Sequence, residues 1–483
     1  MKSLFALTLL CAGTLAAQPP LSVDSTFTLA FDCKSVSDIE FLPSGKVLIA
    51  GLLHRQGSPQ WEVYSTDRLW PDGSFDTSFT TWGGGGAGNI TPWNEKFYVQ
   101  HSQGVSRLDS SGERDFSFYP EGVNNPWFNF GQGGDYYSYA DGRVLFSGLM
   151  ARFDADTNYV GDVGLVRFLP NGLLDSTFHE PVCFNAIYLI HPLADGKFLL
   201  DGGLNSYDGH PIDGPFRVFA DCSIDTTFHC AMPQGSAYSF LDLPDGKLLM
   251  TGSFRLAGDP DIMHIVRLHS DGSLDTTYNN HLEFDGGFPG SALYTPVKKA
   301  VPAGPSHYIV VGNFYTVAGL ERRSICMIDT AGNLVNDYLN GTGCDSVFSW
   351  LGDFVALQGI DQAPDGSYYF YGAYHGFDDG YNYHPDQIMV TRLHGGNVGV
   401  QEQVASAHVL HIWPNPASDV VQVEVPTTDK LQWRVCDAMG RTMAVQVEAG
   451  ATATIGIAQL PAGVYSIVAT SNQRSWSCKL LKE

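Results

Sequence analysis

Carboxylates are the residues of this chain best suited to chemistry, and they occur in two settings. In the first, an Asp stands eight residues after an Arg: Arg68 and Asp76, Arg107 and Asp115, Arg167 and Asp175, Arg217 and Asp225, Arg267 and Asp275. An Asp with a fixed Arg partner stays ionised. Periodic repetition fits packing, because catalysis needs a unique constellation with perturbed pKa values. In the second setting carboxylates cluster without a cation, as in Asp259-Pro260-Asp261 and Asp378-Asp379. These are hard oxygen ligands of the kind Ca²⁺ takes. They lack an Asp-x-Asp-x-Asp spacing and read as solvated loop charges.

Other chemistry finds no foothold. His210, His264 and His375 are scattered, and no Cys-x-x-Cys occurs, so no zinc site is expected. The loop Trp82–Gly88 lacks the Lys-Ser/Thr ending of a phosphate-binding loop. A nucleophile elbow, a zinc-protease helix and a sialidase Asp-box are all missing. The expectation is no catalytic residue, no cofactor and no metal. Aromatics gather at Asn124–Phe130, at Tyr136, Tyr137 and Tyr139, and from Tyr368 to Tyr383. Such faces stack on sugars or pack between repeats.

The elements that position the Arg–Asp pairs are β-hairpins. In Ile265–Tyr278, Val266, Leu268 and Leu274 alternate with polar residues, the period of a strand. A three-residue loop, Ser270-Asp271-Gly272, with Gly in the left-handed region, sets Leu268 opposite Leu274 and Arg267 opposite Asp275. In one copy Met327 and Val335 replace both charged partners, as a pairing contact predicts. Asp221-Cys222 stands where other copies have a loop Gly. An aromatic follows the Asp by three residues, at Phe79, Phe118, Phe178, Phe228 and Tyr278. It reads as a packing residue between units.

Before each hairpin comes a turn and an apolar strand ending in Gly, as in Gly45-Lys46-Val47-Leu48-Ile49-Ala50-Gly51. The unit is four antiparallel strands in about 40–60 residues, the spacing of a propeller blade. Seven units are counted. After Arg392 no Asp follows, whereas Asp24-Ser25-Thr26-Phe27 opens the chain beyond its leader. The expected fold is all-β: a seven-bladed β-propeller over 18–396, closed by the N-terminal strand, with Asp24 opposite Arg392.

Residues 1–17 read as a secretory signal peptide, with Lys2, the apolar run Leu4–Leu10 and Ala16-Ala17 before the cut. No later stretch is long and apolar enough to span a membrane as a helix. The net charge of −24 argues against nucleic acid as a partner. An exported chain meets oxidising conditions, so the pairs Cys222–Cys230 and Cys436–Cys478 are favoured as disulfides. Residues 397–408 read as a linker, and 409–483 as a small Ig-like β-sandwich of short strands.

Two resemblances follow. The last domain resembles the type A sorting domain of the type IX secretion system, through Pro414-Asn415-Pro416, Ser418-Asp419, Gly440-Arg441, Gly463-Val464-Tyr465 and Lys479-Leu480-Leu481-Lys482. That resemblance implies the secretion machinery as a partner, outer-membrane translocation, and release or attachment at the cell surface. Residues 24–393 resemble delta-60 propeller repeats, which imply no general biochemical function. The functional expectation is a secreted or surface binding scaffold, with a glycan or protein as ligand. A polysaccharide- or peptide-acting enzyme with its site at the channel, and a structural spacer, are the alternatives.

Overall fold

A computed structural model of the chain describes residues 19–29, 35–59, 62–80, 82–83, 87–101, 104–118, 128–153, 158–183, 185–286, 297–347, 355–395, 411–424, 431–437, 442–443, 445–448, 452–470 and 475–482. The leader, the linker, Asn124–Trp127, Gly440-Arg441 and Cys33 lie outside them. Among the described residues every regular element is a strand. The chain divides into two compact units, Met1–Gly399 and Val400–Glu483.

Among the described residues the first unit holds nine antiparallel sheets; two are built only of two-residue strands, and the other seven follow one another in chain order. Their first strands are Ser35–Phe41, Ala87–Trp93, Phe128–Ser138, Ile187–Pro192, Gln234–Asp242, Val297–Pro302 and Ala356–Gln362. Each first strand touches that of the next sheet, and Ala356–Gln362 touches Ser35–Phe41. The second strands are apolar at both parities because both faces are covered. Val47 and Ile49 enter one cluster with Phe27 and Tyr369, while Leu48 and Ala50 enter another with Phe79 and Phe97. A separate apolar cluster fills the space between every two successive sheets, the seventh and first included.

The hairpins have the register read from the sequence. Leu268 bridges Leu274, and Met327 pairs with Val335. Gly272 has φ +88°, and Cys222 takes φ +67° where the other loops have Gly. The fourth leg differs from the expected full strand. It makes a single bridge and then curls, because Asp275 Oδ1 accepts from its own Thr277 N–H at 2.9 Å. A side chain that captures the backbone two residues on competes with the ladder.

The N-terminal segment lies beside the last strand of the seventh sheet. Val23 bridges Leu393, and Asp24 N donates to Arg392 O at 2.9 Å. Phe27 is fully buried and meets Tyr369 edge-on at 5.2 Å between centroids.

The second unit has two four-stranded sheets around one core that includes Val421, Val435, Ile455, Ile467 and Leu480. Two short strands, Thr442–Met443 and Gln446–Glu448, lie in different sheets. The expected disulfides are corrected. Cys222 and Cys230 are thiols buried in two separate clusters. Cys436 is likewise a thiol, and strand register aligns it through Ser466 with Lys479, one residue from Cys478.

Phe27→Ala should cost about 3–5 kcal/mol in denaturant unfolding. A cost under about 1 kcal/mol would mean that the N-terminal segment is not part of the folded unit.

Candidate functional site

The Arg–Asp pairs form a repeated buried link. Nε reaches Asp Oδ2 at 2.7 Å for Arg68–Asp76 and Arg107–Asp115, and at 2.8 Å for Arg167–Asp175, Arg217–Asp225 and Arg267–Asp275. Arg392 lies 3.4 Å from Asp24 and turns its Nη2 to Asp365 at 2.8 Å. A second cation, missed in the sequence, is the turn lysine. Lys46, Lys96, Lys197 and Lys247 sit 2.6–2.9 Å from Asp76, Asp115, Asp225 and Asp275. Where the turn residue is Arg143, it pairs with Asp141 instead. Oδ1 accepts the Ser or Thr hydroxyl two residues on at 2.6 Å, as in Thr227 to Asp225.

The arginine also reaches forward. Nη1 of Arg68, Arg107, Arg217 and Arg267 donates to the turn carbonyls of Ser110, Pro170, Ser270 and Thr330 in the following sheet. Arg392 donates to Pro71 of the first sheet at 3.3 Å. The guanidinium stacks on the aromatic three residues after the Asp, at 4.8 Å for Phe79 and 5.0 Å for Tyr278. Burial acts against ionisation of Asp225, but hydrogen bonds from Thr227, Lys197 and Arg217 outweigh it and hold its pKa far below 3.8. These carboxylates are structural.

A different feature faces inward. Each of the seven first strands slips register at an equivalent position, and Phe128–Ser138 slips a second time between Phe130 and Gln132. The extra residues are Ser37, Gly88-Asn89, Gly134-Asp135, Tyr188, Tyr238, Lys298 and Gln358. A bulge re-aims its extra side chain away from the ladder. Tyr188 and Tyr238 are accordingly 39% and 42% exposed, though both flanks of their strands are covered by sheets. The glycine ending each apolar strand belongs to the same device. A Cβ on Gly252 would come within 2.3 Å of Ser236 O, just before the Tyr238 bulge.

Carboxylates cap these inner strands. Asp38 accepts from Ile90 N at 2.8 Å, Asp135 from Ile190 N at 3.0 Å and Asp201 from Ala237 N at 2.7 Å, each donor in the following sheet. Burial raises Asp135 to about 6 and Asp201 to about 7. Asp38 joins a cluster spanning the sixth, seventh and first sheets. The Tyr371 hydroxyl is 3.2 Å from Asp38 Oδ1 and 2.9 Å from Asp361 Oδ2, and Lys299 Nζ is 2.6 Å from Asp361 Oδ1. One hydroxyl has one proton, so its second contact needs a proton on a carboxyl. Asp38 keeps a water-accessible edge, yet crowding by protein is the main reason its pKa rises to about 7. Glu40 rises to about 7 through burial first, then the charges of Asp38 and Asp361. Sequence reasoning missed this group, because single carboxylates on inner strands look like imperfect alternation.

The acidic pairs weighed for Ca²⁺ divide. Asp378 and Asp379 are occupied as turn caps, accepting from Thr342, Gly380, Tyr381, Asn382 and Val23 N–H groups. Asp259 and Asp261 meet His281, with donor atoms within 4.8 Å of one another, at the surface. The aromatics largely pack: Tyr136, Tyr368, Tyr374 and Phe377 are buried, whereas Tyr381 and Tyr383 are exposed. In the second unit the sorting-motif residues meet the last strand. Asn415 Oδ1 accepts from Leu481 N at 2.8 Å, and Ala417, just past Pro414-Asn415-Pro416, bridges Lys482. Tyr465, two residues past Gly463, is buried and donates to Pro461 O. Lys479 pairs with Ser466 in the ladder.

Residues 411–483 match the family of secretion system C-terminal sorting domains. Residues 42–79, 140–178 and 243–278 match a β-propeller domain of unknown function, DUF5122. The chain therefore carries β-propeller repeats and a type IX sorting tail, and that tail indicates export to the cell surface. No curated protein matches in sequence. The extracellular domain of the one-component system BT4673 from B. thetaiotaomicron is similar at 12% identity and TM-score 0.37, covering 95% of this chain and 59% of that one. The chain thus spans about three fifths of that relative's length. The Pan2 WD40 domain of Neurospora crassa is similar at 10% identity and TM-score 0.32, covering 79% of this chain and 99% of that one. Among the described residues no helix is long and apolar enough to cross a membrane.

Two outcomes test the electrostatics. Asp225→Asn should cost about 3 kcal/mol by urea unfolding, since it leaves two cations without their anion. Its folded pKa is lowered, so the stabilisation is complete above 3.8 and lost as pH falls further; the variant's acid limb should be shallower than wild type. Asp201 has the opposite sign. Its folded pKa is raised, so it destabilises as pH climbs from 3.8 towards about 7. Asp201→Asn should melt higher than wild type at pH 8 and lose that advantage near pH 4.

Proposed function

We propose that this chain is an exported, seven-bladed propeller that binds a glycan at the ring of inner bulges. In this reading residues 18–396 form the ring, 397–408 the linker and 409–483 an Ig-like sorting sandwich that engages the type IX machinery. The N-terminal segment closes the ring. Supporting closure are the Val23–Leu393 bridge and the reach of Arg392 to Pro71 in the first sheet.

The observation that carries the binding reading is the exposure of Tyr188 and Tyr238 at bulges of neighbouring inner strands. Two aromatic rings held on rigid strands offer apolar faces for sugar rings. Amide and carboxyl groups nearby can take the hydroxyls, and few polar groups on an apolar platform are the usual make-up of a small-molecule site. A protein partner would ask for a broad apolar face with a central anchor.

A second reading, an enzyme acting at the same ring, draws on Asp38 and Asp361 sharing the Tyr371 hydroxyl. A carboxyl raised by burial beside one paired with a lysine is the kind of arrangement that can split acid and base roles.

Mature protein incubated with a panel of polysaccharides separates the two. The expected result is retention without cleavage, weakened about tenfold by Tyr238→Ala. Release of fragments by wild type and not by Asp38→Asn would replace the binding reading with the enzyme.

A further inference from the structure

We infer that the glycan is acidic, and that the Lys298 ammonium takes its carboxylate or sulfate group. This rests on the glycan reading above and adds the chemical class of the ligand. The chain has 51 acidic residues against 27 lysines and arginines, so a lysine inside the fold has carboxylates to spare. Lys46, Lys96, Lys197, Lys247 and Lys299 each lie within 2.9 Å of an Asp oxygen. Lys298 does not. No carboxylate among the described residues pairs with it. Its Nζ rests 3.6 Å over the ring of Tyr238 in the preceding sheet.

Burial without a counter-ion pushes its pKa down to about 8, which leaves it mostly protonated at neutral pH. An ammonium partly withdrawn from water and held, among the described residues, by a ring face and no carboxylate is incompletely compensated. A bound anion would complete it. Placement strengthens the case. Lys298 is the extra residue of its bulge, so its side chain is re-aimed as Tyr238 is. In ring order the bulge residues run Tyr188, Tyr238, Lys298 and the exposed amide Gln358. Aromatic faces, a cation and an amide in a row match a sugar chain with an acidic substituent. The equivalent positions in the first three sheets hold Ser37, Gly88-Asn89 and Gly134-Asp135, so the tyrosines and the lysine fall together in the fourth to sixth sheets.

The net charge of −24 would repel a polyanion at low salt. At about 0.15 M salt the screening length is about 8 Å, so distant acids are muted while a direct contact survives.

The test is retention of the mature protein on polygalacturonate, dextran sulfate and neutral dextran at that salt. The expected result is that polygalacturonate or dextran sulfate is held at least tenfold more tightly than dextran, and which one is held identifies the anion. Lys298→Gln should bring the acidic polymer down to the dextran level with an unchanged melting curve. Lys298→Arg should retain the preference, and Tyr238→Ala should weaken acidic and neutral binding alike. Equal binding of acidic and neutral polymers, or a preference that survives Lys298→Gln, overturns the acidic ligand and leaves the glycan reading standing. Retention of no saccharide by wild type overturns both.

Discussion

In four of the repeats one aspartate is clasped by an arginine, a lysine and a hydroxyl, and this is the contact on which the first unit depends. A carboxylate this enclosed would be costly without its cations, and the cations would be costly without it. Arg217 shows why the group matters beyond its own sheet. Its Nε holds Asp225, its Nη1 holds the Ser270 carbonyl of the following sheet, and its plane lies on Phe228. Arginine can do all three because its donors are fixed in a planar fork, which a lysine lacks. The sixth sheet dispenses with the charge altogether. Met327 pairs with Val335, so anion and cation leave together.

The inner rim solves a matching problem with opposite polarity. At the outer hairpins a cation of one sheet satisfies a carbonyl of the next. At the inner strands a carboxylate of one sheet satisfies an N–H of the next, as Asp38 does for Ile90 and Asp201 for Ala237. The bulges create that demand, since a slipped register takes an N–H out of its own ladder. The cost appears in the raised pKa of Asp38, Asp135 and Asp201, which carry no full cation partner. Asp225 and its counterparts at the hairpins favour ionisation, whereas Asp38 and Asp135 on first strands and Asp201 on a second strand resist it.

The hairpins were legible in the sequence because their signals are local. Leu268 opposite Leu274, Arg267 opposite Asp275 and the left-handed Gly272 all follow from alternation and loop length. Lysine partners such as Lys247 were hidden only by distance along the chain, although each turn lysine recurs in a repeat that keeps its Arg and Asp. The bulges had a visible mark that alternation alone does not decode. Gly51, Gly202, Gly252 and Gly372 close the apolar runs of the second strands, and each lies against the backbone of the preceding strand, where a Cβ would collide. A glycine inside a strand pattern signals a bulge or a close approach, and here it is both. The disulfides were misjudged because closeness in sequence says little about which side of a sheet a thiol enters. Cys222 and Cys230 went to different clusters, where burial pushes both thiols up to about 12 and leaves them inert to oxidation.

Periodicity and chemistry divide this molecule between them. Residues that repeat, the Arg, Asp, Lys and terminal Gly, are consumed by the frame, because a repeated unit must make the same contact with each neighbour. A site has to break that repetition, and it can do so cheaply only where a side chain is not needed for packing. The bulge is such a position: its backbone is fixed by the ladder on either side, while its extra residue stands outside the cross-strand register. Seven equivalent places are filled by serine, glycine-asparagine, glycine-aspartate, tyrosine, tyrosine, lysine and glutamine in turn. Residues so different at one structural position cannot all serve the same packing role. Their differences, with tyrosine, lysine and glutamine confined to the last four of the seven sheets, are where the first unit departs from its own repetition.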